Sequence, residues 1–143
     1  MSLSISKILE EWNDDAKIDS FNLGEESLRI PRLHAKYLNY YNTLRRIRSE
    51  LTKRYKVMKK EKYLYYSGKA DVEVYKDKPF ELKVLKSDLH EFTNSDDDIV
   101  TIEAKLDSID AGLENVKSIL KMLSDRNWQI KNAISYQQLM AGQ

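Results

Sequence analysis

Nine of the eighteen residues from Arg45 to Lys62 are lysine or arginine, and only Glu50 and Glu61 among them are acidic. On a helix, Arg46, Lys53 and Lys60 recur every seven residues with Arg45, Lys56 and Lys59 beside them, away from the apolar Leu44, Ile47 and Leu51. Such a row neutralises successive phosphates of a polyanion and releases the counterions held there. Tyr63, Tyr65 and Tyr66 follow directly. Cations for the phosphates and aromatic faces for unstacked bases are the means by which proteins hold single-stranded nucleic acid. On this reading Lys59, Lys60 and Lys62 make the phosphate contacts, with Arg46, Lys53, Arg54 and Lys56 supporting them, and Tyr65 and Tyr66 either stack bases or pack the helix end. The bland alternatives are a solvated helix face and an adaptor surface that docks an acidic protein partner. A membrane surface fits less well, because the apolar side of this helix is narrow and tyrosine-rich instead of a broad Leu/Phe face.

No other constellation proposes chemistry. The chain has no cysteine, which removes disulfides, Cys-based zinc sites and thiol nucleophiles. His34 and His90 stand alone without a partner at ligand spacing. The acidic run from Asn94 to Asp98 lacks the spaced oxygen ligands and terminal glutamate of a calcium loop. There is no phosphate loop, nucleophile elbow or paired-histidine zinc helix. The expected protein has no catalytic residues, no metal and no cofactor.

The elements that position the basic window follow from periodicity. At 143 residues, 33% charged and 41% hydrophobic, the chain is one domain's worth of sequence with a modest core. Four Gly and two Pro argue against sandwiches, barrels and doubly wound sheets, which use turn residues freely. The expected class is mainly α, with long helices carrying coiled-coil-like heptad seams. A net charge of +1 leaves no uniformly basic or acidic coat, so the basic window is a local feature that the rest of the chain cancels.

Ile5, Ile8, Leu9 and Trp12 have helical spacing, with Ser4 or Ser6 available as a cap. From Leu33 the apolar stripe runs through Tyr37, Tyr40, Leu44, Ile47 and Leu51 towards Met58, and Ser67-Gly68 supplies the stop. Pro31 belongs in the first turn of that helix, or at a kink if the helix begins earlier, near Glu25. Residues 69–79 read as a loop or hairpin-like excursion, and 80–92 as helix or strand.

Ser95, followed by Asp96, Asp97 and Asp98, reads as a capping hydroxyl ahead of first-turn carboxylates. Behind it Ile99, Ile102, Leu106, Ile109, Leu113, Val116, Leu120 and Leu123 alternate steps of three and four, a seam about 37 Å long. The same register places Asn127 in the seam, then Ile130 and Ile134. One seam cannot bury itself, so Ile102, Leu106, Ile109, Leu113, Val116, Leu120 and Leu123 are expected to carry self-association. The organisation expected over 1–143 is a single domain: a basic helical part to about 68, a variable segment over 69–94 and an oligomerisation helix over about 95–140. No stretch reaches the roughly 20 apolar residues of a membrane span, and the opening residues turn acidic where a secretory signal stays apolar, so a soluble cytoplasmic protein is expected.

The string Lys60-Glu61-Lys62-Tyr63-Leu64-Tyr65-Tyr66-Ser67-Gly68-Lys69-Ala70-Asp71 resembles the basic, aromatic, YYSG-containing segment of the UvsY-type phage recombination mediators. Ile18-Asp19-Ser20, Tyr37-Leu38-Asn39, Arg126, Ile130-Lys131 and Ala141-Gly142 follow the family in order. Little of 72–98 aligns. The resemblance implies a non-enzymatic factor that binds single-stranded DNA and forms a ring-like hexamer or heptamer. It implies partners too: a UvsX-like recombinase, which it helps to displace single-stranded-DNA-binding protein and to nucleate a filament in recombination, repair and recombination-dependent replication. The implied setting is the cytoplasm of an infected bacterium. The family's DNA-contacting Lys and Arg fall on Lys60 and Lys62, so the second position keeps its charge but loses the planar guanidinium fork, with Lys59 adding a neighbouring charge.

Overall fold

A computed structural model describes residues 3–142. Five α-helices occur in it: α1 Ile5–Asp15, α2 Leu23–Tyr66, α3 Val72–Asp77, α4 Leu89–Asn94 and α5 Asp97–Met140, with a 3-10 turn at Lys86–Asp88 before α4. There is no strand among the described residues. Residues 3–46 and 111–142 form one compact unit and Ile47–Asp110 the other, so α2 and α5 each contribute to both.

In the first unit Ser4 caps α1 by accepting the Lys7 amide at 3.3 Å. Asp19 accepts the Phe21 amide at 2.9 Å, a turn that leads the chain into α2 at Leu23. Because α2 begins this early, Pro31 lies inside it, on the exposed side. Ile8, Leu33, Tyr37, Leu44, Val116, Ile119, Leu123 and Ile130 form the core.

The register of α5 here differs from the expected seam. Val116, Leu123 and Ile130 are buried as expected, but their flanking partners are Gly112, Ile119 and Arg126; Leu113 and Leu120 are half-buried and Asn127 is exposed. The reason is α1. Ile5 packs where a side chain on residue 112 would stand, only 2.6 Å from an added Cβ, so glycine permits the close approach. Arg126 donates to the Asp15 carbonyl at 2.9 Å and stacks over Trp12. A buried cation thus closes the C-terminal end of α1, where the helix dipole favours positive charge.

The Asp15 carboxylate gathers the flank of this core. It accepts hydrogen bonds from Lys36 at 2.7 Å, the Tyr37 hydroxyl at 2.8 Å and Arg29 at 3.1 Å. Burial alone would raise its pKa, but the Lys36 and Tyr37 hydrogen bonds and the two cations outweigh this and hold it below the ordinary value. Tyr40 donates to Glu11 at 2.6 Å, a bond that, reinforced by burial, pushes its phenol up to about 12.

In the second unit α2 ends in a Schellman motif: Lys69 donates to the Leu64 carbonyl at 2.9 Å and Gly68 to that of Tyr65 at 3.2 Å, with Gly68 at φ 78. The 69–79 excursion is not a hairpin. Glu73 and Lys76 suit the two ends of a short helix, and Val72 and Val74 are both exposed, so their alternation buries no strand face. Residues 79–85 have no regular secondary structure and lead through the 3-10 turn to α4. The cap of α5 also moves by one residue from the expectation. Ser95 turns back to the Glu91 carbonyl at 2.7 Å and closes α4, while Asp96 accepts the amides of Asp98 and Ile99.

Leu123 is fully buried and Leu82 is 67% exposed. Urea denaturation should show Leu123→Ala lowering the unfolding free energy by about 2–5 kcal/mol. Leu82→Ala should change it by less than about 0.5 kcal/mol.

Candidate nucleic-acid interface

Within the second unit α2 has two chemically different faces. Lys53, Lys56 and Lys60 follow one another at steps of three and four, so their exposed ammonium groups share one side. Among the described residues these lysines have one ion pair, the weak contact of Lys53 with Glu50 at 3.8 Å. Arg54 is exposed beside this row. In the first unit, Arg46 is exposed on the portion of α2 that ends there, with its guanidinium near Thr43.

The second face carries Tyr55, Lys59, Lys62 and Tyr66, again at steps of four and three, and it meets α5. The Tyr55 hydroxyl donates to Glu103 at 3.2 Å and accepts from Lys59 at 3.3 Å. Further along, Lys62 lies 2.8 Å from Asp98 and 3.4 Å from Asp96, and the Tyr66 hydroxyl donates to Asp96 at 2.6 Å. Partial burial opposes the charge on Lys62, but the Asp98 hydrogen bond and both carboxylates outweigh it and raise its pKa. Arg48 is likewise engaged, by Asp110.

The three tyrosines have internal partners. Tyr65 stacks on Tyr75 at 5.5 Å and donates to the Lys78 carbonyl at 3.1 Å. Tyr66 meets Phe80 and Phe92, and Tyr63 lies 5.9 Å from His90. Tyr75 in turn donates to the Tyr65 carbonyl at 2.7 Å, so it satisfies a backbone acceptor that the end of α2 leaves open. Lys62, Tyr65, Tyr66, Glu73 and Asp96 help to line an open cleft of about 960 Å³.

Thus the structure places Lys53, Arg54, Lys56 and Lys60 in the open, Lys59 against Tyr55 of its own helix, Lys62 against the start of α5, and Tyr65 and Tyr66 among other aromatic rings. Of the expected assembly residues, Ile102, Val116 and Leu123 are buried within the chain, while Leu106, Ile109, Leu113 and Leu120 are half-buried. Sequence reading did not find the acidic partners of Lys62. The Asp96–Asp98 run is visible in the sequence, but as helix-start punctuation its role is local, and its reach to residue 62 is not. Among the described residues no group of His, Asp or Glu is arranged to hold a metal ion, and no helix is long and apolar enough to cross a membrane.

Residues 11–143 match the family model described as recombination, repair and ssDNA binding protein UvsY. The chain belongs to the UvsY family. Among its UvsY relatives is the recombination protein uvsY of Enterobacteria phage T4, 24% identical over 140 residues that cover 98% of this chain and 99% of that protein. The fold agrees with crystal structures of the bacteriophage T4 recombination mediator protein UvsY. One lattice form superposes with a TM-score of 0.84 at 23% identity, covering 98% of this chain and 99% of that one. A second gives 0.81 at 20% identity over 96% and 99%. The all-α architecture expected from composition and periodicity is therefore the UvsY fold.

The Asp96 carboxylate supports this face of the UvsY fold. Burial would raise its pKa, but the bonds from Tyr66 and the α5 amides, with Lys62 nearby, hold it below the ordinary 3.8. A carboxylate depressed on folding contributes stability that is complete above its unfolded value and is lost as pH falls through its folded value. Asp96→Ala should therefore lower stability at pH 7 by about 1–2 kcal/mol or more. Its deficit relative to wild type should shrink below pH 3.8 in urea melts repeated from pH 7 to pH 2.

Proposed function

We propose that this protein is a non-enzymatic recombination mediator that binds single-stranded DNA through the basic part of α2 and helps a UvsX-like recombinase to load on strands covered by single-stranded-DNA-binding protein. The observation that carries the reading is the exposed row of Lys53, Lys56 and Lys60 in a chain of the UvsY family. The contacts to phosphate are made by Lys53, Lys56, Lys59, Lys60 and Lys62, with Arg46 and Arg54 supporting. Tyr65 and Tyr66 act by holding the helix end in place beneath these cations, as their internal aromatic partners favour.

A few lysines per subunit bind a single strand weakly, and multivalency supplies the rest. Copies in a ring-like hexamer or heptamer engage one strand together, each bound subunit raising the effective concentration of the next. Assembly uses the half-buried Leu113 and Leu120 of α5, with Leu106 and Ile109 as further contacts, while the buried Ile102, Val116 and Leu123 keep the helix packed within each subunit. The exposed Trp128, Leu139 and Met140 add apolar surface to the same helix. The protein works in the cytoplasm of an infected bacterium.

Fluorescence anisotropy of a labelled single-stranded oligonucleotide, titrated at several salt concentrations and competed with duplex, tests the DNA assignment. Tight, salt-steep binding that prefers the single strand is expected. Lys60→Ala should reduce the slope of log K against log salt by about 0.7 for each bound subunit. No binding at low salt would overturn the assignment and leave the acidic-partner adaptor as the better account of the basic helix.

Sedimentation tests the assembly. Leu113→Lys should dissociate the oligomer and weaken DNA binding with it, and an intact oligomer would refute this use of α5.

A further inference from the structure

We propose that Asp98 is an internal competitor for phosphate, which holds Lys62 in the DNA-free protein and yields it when a strand binds. The inference rests on the single-stranded-DNA reading and adds a regulatory element to that site.

Lys62 and Lys60 are two residues apart, yet their circumstances differ. Lys60 is exposed, whereas the Lys62 side chain is only 20% exposed and its ammonium lies between two carboxylates. Those carboxylates are not equivalent. Asp96 is committed elsewhere: one oxygen accepts the Asp98 and Ile99 amides, and the other accepts the Tyr66 hydroxyl. Asp98 has a side chain 56% exposed to solvent, and among the described residues its carboxylate pairs with Lys62 alone, at 2.8 Å. It can turn away without uncapping α5. Asp96 stays, so Lys62 is never stranded without a negative neighbour.

A phosphate oxygen offers Lys62 what the Asp98 carboxylate offers, a negative acceptor for a charge-assisted hydrogen bond. Exchange of one for the other is close to neutral, so a lone small anion gains little by entering. A strand already held at Lys53, Lys56 and Lys60 presents its next phosphate at high local concentration and displaces Asp98. The pairing therefore discriminates against isolated anions and short strands and lowers overall affinity. It also lowers salt sensitivity, because a lysine already neutralised by a carboxylate contributes no counterion exchange of its own.

The test is anisotropy with a labelled oligothymidylate over a series of NaCl concentrations, comparing wild type, Asp98→Asn, Lys62→Ala and the double variant, each as the full chain. Asp98→Asn should bind at least about threefold more tightly at low salt and show a log–log slope steeper by about 0.7 for each bound subunit. The gain should vanish when Lys62→Ala is added. Asp98→Ser removes the same charge and serves if the asparagine variant folds poorly, and circular dichroism melts confirm that each variant is folded. An unchanged affinity and slope in a folded Asp98 variant would overturn the proposal, as would a gain that persists in the double variant, which would signify general relief of repulsion. Binding by wild type with no effect of the Asp98 variants refutes this inference alone. No binding by any variant at the lowest salt refutes the DNA reading and this inference with it, while binding that only the Asp98 variants show supports the competitor.

Discussion

A helix with an apolar stripe on one side cannot bury that stripe against itself, and two helices of 44 residues make up most of this chain. Burial of the α2 and α5 stripes is thus the condition on which everything else depends. In the first unit it is met with the help of α1, and Gly112 is the point where small size permits contact. In the second unit the short helices and an aromatic cluster around Tyr66 complete the cover. Once the stripes are buried, the charged residues beside them have no freedom to choose a side.

Carboxylates then decide which cations remain free. Asp15 and Asp96 are half-buried carboxylates that perform similar tasks in separate units. Each lies at the end of a helix, each accepts a tyrosine hydroxyl, from Tyr37 and Tyr66 respectively, and each pairs with a lysine of α2. Half-burial makes these bonds stronger than exposed pairs while stopping short of the large desolvation cost of a fully buried charge. The lysines they engage, Lys36 and Lys62, are anchored to the fold. Among the described residues no carboxylate of α5 pairs with Lys53, Lys56 or Lys60, and the Lys53–Glu50 contact at 3.8 Å is exposed and weak, so these lysines keep most of their electrostatic reach.

On the proposed function, this division matches the demands on a protein that holds a single strand and passes it on. A strand must be held firmly enough to be organised and loosely enough to be passed on. In the proposed function the exposed lysines give fast, salt-sensitive contact, and the carboxylate-paired Lys62, on the other face of the helix, gives a contact formed only by a ligand already in place. The aromatic cluster beneath them has a mechanical task. By filling the space between the end of α2, the irregular segment over 79–85 and α4, it fixes the direction in which the last cations point.

Local physics made much of this legible in the sequence. The stop at Gly68 follows from the need for a left-handed residue, and the Ser4 cap from an oxygen within reach of an open amide. The long helices follow from apolar residues recurring at steps of three and four, and the exposed row of lysines from the same period. The 69–79 segment reads as a loop or hairpin-like excursion because two valines flanking a glutamate imitate strand alternation; the structure has no strand there and sets the six-residue α3 within the excursion. The α5 register shifted from Leu113, Leu120 and Asn127 to Gly112, Ile119 and Arg126 because both sets flank the same apolar column, and α1 covers one of them. Whether Lys62 is free depends on carboxylates more than thirty residues away, with no local signal linking them. The sequence by itself determined the long helices, the stop at Gly68 and the sign and place of the charge. Tertiary structure alone decided which flank of α5 is buried and which lysines are already paired, since both depend on what another part of the chain brings to the same side.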